Sequence, residues 1–73
     1  MFEIGDQVQF NFSQYVNFGE GRSKRITGVL THVPCDTGDM FYIKVGENIV
    51  VAINPSSTVF INITLIRRKD ENR

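Results

Sequence analysis

Cysteine is nearly absent: Cys35 stands alone among 73 residues. A lone thiol excludes an internal disulfide framework and fits a reducing compartment. Histidine is as scarce, with His32 its single example, and tryptophan is missing altogether. A structural zinc site needs four ligands, so the His32-x-x-Cys35 pair offers half of one. The same pair as a nucleophilic dyad lacks a recognisable orienting group and oxyanion loop. Neither sign of charge is in excess, because eight Lys and Arg balance eight Asp and Glu. A whole-molecule field that would draw in nucleic acid or anionic lipid is therefore not expected. No apolar run reaches the roughly 20 residues that span a bilayer as a helix. Acids follow Met1 closely, at Glu3 and Asp6, so no secretory leader is expected and a cytoplasmic location is. The sequons Asn11-Phe12-Ser13 and Asn62-Ile63-Thr64 then read as chance.

What the chain does have is Val, Ile and Phe, within an apolar fraction of 41%. Branched and aromatic residues favour strands. Phe2, Ile4, Val8, Phe10 and Phe12 alternate with Glu3, Gln7, Gln9 and Asn11, the period of a half-buried strand, with a bend at Gly5-Asp6. Ser13 to Lys24 reads as a long polar loop. From Arg25 to Val33 the apolar spacing also fits a helix, but Thr27, Gly28, Thr31 and the following Pro34 favour a strand, with Gly28 marking a close backbone approach. Asp36-Thr37-Gly38-Asp39 is a turn. Met40 to Val45 and Ile49 to Ile53 form a tight hairpin about Gly46-Glu47-Asn48. After a turn at Pro55 to Thr58, Val59 to Ile66 alternates again, with Val59, Ile61, Ile63 and Leu65 on one face. The expectation is an all-β domain of about five antiparallel strands over residues 1–66, with a charged flexible tail at 67–73. At this length closure into a small barrel removes exposed edges. Self-association would add buried area to so small a core, which leaves a homo-oligomer open.

The opening Gly5-Asp6-x-Val8-x-Phe10, the long first loop, the Gly28-Val29 strand, the Phe41-Tyr42-Ile43-Lys44-Val45 hairpin and the Pro55-Ser56-Ser57 turn resemble the layout of SH3-like barrels. KOW, Tudor-like and many small bacterial and phage proteins share that layout, which implies a fold and not a function. The start also resembles that of plasmid-type dihydrofolate reductase. However, Val51-Ala52-Ile53-Asn54 stands where that enzyme carries an amide and a phenol, which argues against its activity. Asp36-Thr37-Gly38 resembles the aspartic-protease string, but Pro34-Cys35 precede it where that family has apolar strand residues.

No catalytic residue, cofactor or metal site is therefore expected, and the chain reads as a non-enzymatic module that docks on a protein partner. An accessory protein of a phage or mobile element that inhibits or redirects a host factor suits this description. Its expected contact surface joins the Ser13–Arg25 loop to the Asp36–Tyr42 turn, with Tyr15, Phe18 and Tyr42 as anchors and Arg22 and Arg25 as a charged rim. The competing assignment for Phe18 and Tyr42 is ordinary core. A second function class is single-stranded nucleic-acid binding, because Arg22, Lys24 and Arg25 lie close to Tyr15 and Phe18. A third is a small-molecule or enzymatic site formed only in an oligomer. The other basic run, Arg67-Arg68-Lys69, is expected at the opposite end of the fold.

Overall fold

The computed structural model describes residues 2–19 and 21–70. It is all-β, with β1 (Gln7–Asn17), β2 (Arg22–His32), β3 (Phe41–Val45), β4 (Ile49–Ile53) and β5 (Phe60–Arg67). All neighbours are antiparallel, in the order β4-β3-β2-β1-β5. No described helix is long and apolar enough to cross a membrane. The alternation does what its period demands: Val8, Phe10 and Phe12 of β1 are buried with Ile26 and Leu30 of β2, Ile43 of β3 and Ile53 of β4. The segment from Arg25 that fitted two templates is strand.

Gly28 shows why only a strand works there. A Cβ at this position would sit 2.6 Å from the Lys44 carbonyl oxygen of β3. The missing side chain lets β2 and β3 approach, and no other residue type fits without spreading them.

The sheet curls so that distant strands share one core. Phe10 of β1 lies 5.2 Å from the Phe41 ring of β3 and 6.1 Å from the Phe60 ring of β5. Closure is where the fold departs from the expected barrel. Strands β4 and β5 are the two edges of the order, and no ladder joins them. The gap is instead narrowed by the outer half of β1.

Three other expectations are corrected. Ser13 to Lys24 is not a loop: β1 runs on to Asn17 and β2 begins at Arg22, with Val16 opposite Ser23. Between Asn11 and Val16 β1 takes five steps while β2 takes two, so β1 bulges away and donates the Ser13 N–H to the Val59 carbonyl. Ile61 does not join the inner face. The β5 register passes from Asn62 to Phe60 across one step of β1, which leaves Ile61 as the extra, exposed residue. The supposed tail is strand at Arg67, and Arg68 and Lys69 are fastened to Asp6; residues 71–73 lie outside the described residues.

Gly28→Ala is expected to destabilise the fold by about 1–3 kcal/mol, the usual cost of forcing atoms into a filled space. Urea unfolding measures it, and a loss below about 0.5 kcal/mol would show that β2 and β3 can part without penalty.

Candidate binding surface

The outer halves of β1 and β2 form a two-stranded arm. Its tip is a tight turn closed by the Phe18 N–H on the Gly21 carbonyl, with Gly19 at a φ of +96° that L side chains rarely adopt. Glu20 lies outside the described residues. Phe18 is half-buried and packs towards the core, so of the two assignments open to it the structure favours packing.

Tyr15 is different. It is 61% exposed, and both Arg22 and Lys24 of the facing strand approach its ring, with the guanidinium 5.6 Å and the ammonium 5.4 Å from the centroid. Cations over an aromatic face are attracted by the ring quadrupole, by about 0.5–1 kcal/mol at exposed sites. The result is a preformed patch: one rigid ring with two positive groups.

The arm leans over the sheet. A Cβ at Gly19 would lie 3.6 Å from Ile49 Cγ2 at the start of β4. Between the arm and β4 a cleft of about 170 Å³ remains, bounded by Phe12, Val16 and Asn17 on one side and residues 51–54 on the other.

Arg25 and Tyr42 do not belong to this patch. Arg25 pairs with Asn11 on the outer face, beside a ladder in which Thr27 donates to Gln9, Gln9 to Asn11, and Asn11 to Asn62 and Thr64. Tyr42 pairs with His32 at the far end of β2, ten strand steps or roughly 30 Å from Arg22. The five residues expected to form one surface are thus split into the arm pair Tyr15 and Arg22, the packed Phe18, and the outlying Arg25 and Tyr42.

Around Tyr42 the structure assembles a group that sequence reasoning missed. Its ring lies 5.6 Å from His32, whose Nε2–H donates to Asp39 Oδ2 at 2.7 Å. Asp39 also accepts the N–H of Cys35 and of Met40, so one carboxylate organises the turn. The third group thought lacking for a Cys-His pair is therefore present beside the imidazole. Among the described residues, however, the Cys35 thiol donates to the Val33 carbonyl, at 3.6 Å, and makes no hydrogen bond to His32. Asp36-Thr37-Gly38 is an exposed turn with Gly38 at a φ of +91°. Among the described residues no three His, Cys, Asp or Glu side chains gather as a metal site.

The charge balance also changes meaning once the strands are known. No Asp or Glu stands on any strand, whereas Arg22, Lys24, Arg25, Lys44 and Arg67 do. Carboxylates are poor strand residues, and here Asp6 and Asp39 are used to tie turns. Neutrality is the sum of cationic strands and carboxylates kept to the segments between and beyond them.

Asp39 is held down to about 2, first by the His32 hydrogen bond and then by the Cys35 and Met40 N–H groups. Asp6 is lowered as well, chiefly by the Glu3 N–H, with burial opposing. Folded values below the unfolded one mean that both groups contribute stability above about pH 4 and lose it as pH falls through their folded values, about 2 for Asp39. A urea series from pH 7 to pH 2 should show this decline, and Asp39→Asn should flatten part of it. An unchanged slope in that variant would contradict the assignment. Cys35 is exposed, and Cys35→Ser should leave the unfolding midpoint unchanged.

No family model, curated protein or solved structure matches the chain, so no relative's activity can be carried over to these side chains.

Proposed function

We propose that this chain is a non-enzymatic binding module that docks on an acidic protein surface through the β1–β2 arm. The observation that carries this reading is Tyr15, exposed and flanked by Arg22 and Lys24. Tyrosine and arginine supply large contact area at low entropic cost and dominate measured interface energies. The arm is paired rather than loose, so little ordering entropy is lost on docking. The acid-free strands supply the complementary sign. The strand order β4-β3-β2-β1-β5, curled about one core, supports a place among SH3-like folds. An accessory protein acting on a host factor remains the setting that fits a module of this size.

Single-stranded nucleic acid is the second reading. The same ring would stack a base while cations hold phosphates. What favours it is the absence of carboxylates from every strand, with Arg25 and Lys44 on the outer face. Few cations are involved, which limits such binding to low salt.

The test is affinity capture from a bacterial lysate, with and without nuclease, using the native chain and a Tyr15→Ala/Arg22→Ala variant. A protein retained after nuclease treatment is expected, with its binding weakened in the variant by about 2 kcal/mol or more. Asn62→Ala on the outer ladder should bind normally. Full retention by the arm variant would place the contact elsewhere. Nuclease-sensitive capture, with affinity falling on salt by a log–log slope of about three, would reverse the order of the two readings.

A further inference from the structure

We infer that the cleft between the arm and β4 is the anchor pocket of the same docking surface, taking one aliphatic side chain of a partner polypeptide whose adjacent residues are acidic. This rests on the reading that the arm docks an acidic protein.

Size excludes the usual small-molecule occupant. Pockets for such ligands span about 300–1,000 Å³, and this cleft is about 170 Å³. It suits a single side chain. Its walls select an apolar one, since Phe12 and Val16 of β1, Val51 of β4 and Val59 all line it. Apolar walls give water few partners, so seating a methyl-bearing group there releases poorly held solvent.

The rim selects what flanks that group. Asn17 and Asn54 both border the cleft. The Asn54 side-chain oxygen already accepts the Ser56 N–H, which leaves its amide NH₂ as the donor for an incoming main-chain carbonyl. Asn17 pairs directly with Arg22, so the cations around Tyr15 stand next to the mouth. Among the described residues no carboxylate borders the cleft. A neighbouring Glu or Asp on the partner comes close to Arg22 and Lys24.

The gap also has a structural origin. The edge strand β4 carries no charge and no bulge: its register with β3 is regular from Phe41↔Ile53 to Val45↔Ile49. Natural edges are ordinarily guarded by charges, bulges or prolines. Here the arm comes near it at Ile49, where a Cβ on Gly19 would lie 3.6 Å from the side chain, and the cleft opens beside residues 51–54.

The experiment is a ¹H–¹⁵N titration of the whole chain with acetyl-Glu-Leu-Glu-amide, compared with acetyl-Glu-Ala-Glu-amide and acetyl-Lys-Leu-Lys-amide. Saturable shifts are expected at Val16, Asn17 and residues 51–54. The leucine peptide should bind at least about tenfold more tightly than the alanine one, as the burial of a few methylenes implies. Ser57→Leu, which adds bulk to the lining at a half-buried position, should abolish the leucine preference. Arg22→Ala/Lys24→Ala should remove the preference for Glu over Lys while the leucine preference persists. Equal binding of the leucine and alanine peptides overturns the pocket. If the Glu preference survives in that case, the docking arm stands without it. A leucine preference with no Glu preference sinks the arm reading instead. Shifts at the same amides on raising protein concentration without peptide would show a second copy as the occupant and contradict the proposal.

Discussion

One buried carboxylate holds three segments of this chain together. Asp6 is fully buried. Its side chain accepts the Glu3 N–H at 2.9 Å, the Lys69 N–H at 3.1 Å and Arg68 Nη1 at 3.1 Å. Its own carbonyl accepts the Leu30 N–H of β2, and the preceding Gly5 N–H donates to Leu30. Burying an ion is costly unless its lone pairs are filled, and here they are filled by three donors. The entry to β1 is thereby locked to β2 on one side and to the end of β5 on the other. A second link, Lys69 to Glu3 at 3.0 Å, is exposed on both partners and adds little.

The consequence lies at the other end of β1. With its start fixed between two neighbours, an eleven-residue strand must either leave the sheet or bend. It bulges after Asn11, gives Ser13 to Val59 on the β5 side, and continues as an arm that reaches towards β4. The arm therefore does two things. It leans towards the edge that an open five-stranded sheet exposes, and it holds Tyr15 out with its two cations. The cleft is the space left between arm and edge. The narrowing of the gap and the proposed docking surface come from the same twelve or so residues, in keeping with how often long segments of small domains carry function.

Much of the sheet was legible from alternation. Val8, Phe10 and Phe12, then Phe41, Ile43 and Val45, declare an inner face by spacing alone, and Gly28 announced the close approach of β3. The arm left no such mark. Ser13, Gln14 and Tyr15 are all exposed, so no period of two survives, and the pairing rests on backbone bonds that composition does not reveal. Arg67 to Lys69 lack apolar residues and so resembled a frayed end; Arg67 pairs with Gln7, and Arg68 and Lys69 bond Asp6, 62 and 63 positions away. Ile61 looked inward by parity, but a bulge shifts parity by one. Of the candidate surface, Tyr15 and Arg22 do lie together on the arm, whereas grouping them with Tyr42 required a geometry the sheet does not provide. The segregation of charge became visible only with strand boundaries in hand.

The central claim is that the arm is preformed as a hairpin in the free protein. Cross-strand nuclear Overhauser contacts test it directly. The account predicts contacts between Val16 and Ser23 and between Asn17 and Arg22, with slowed amide exchange at Phe18 and chemical shifts of extended backbone from Gln14 to Asn17. Random-coil shifts and fast exchange throughout residues 13–24, in a protein whose Val8 and Phe10 amides stay protected, would contradict it.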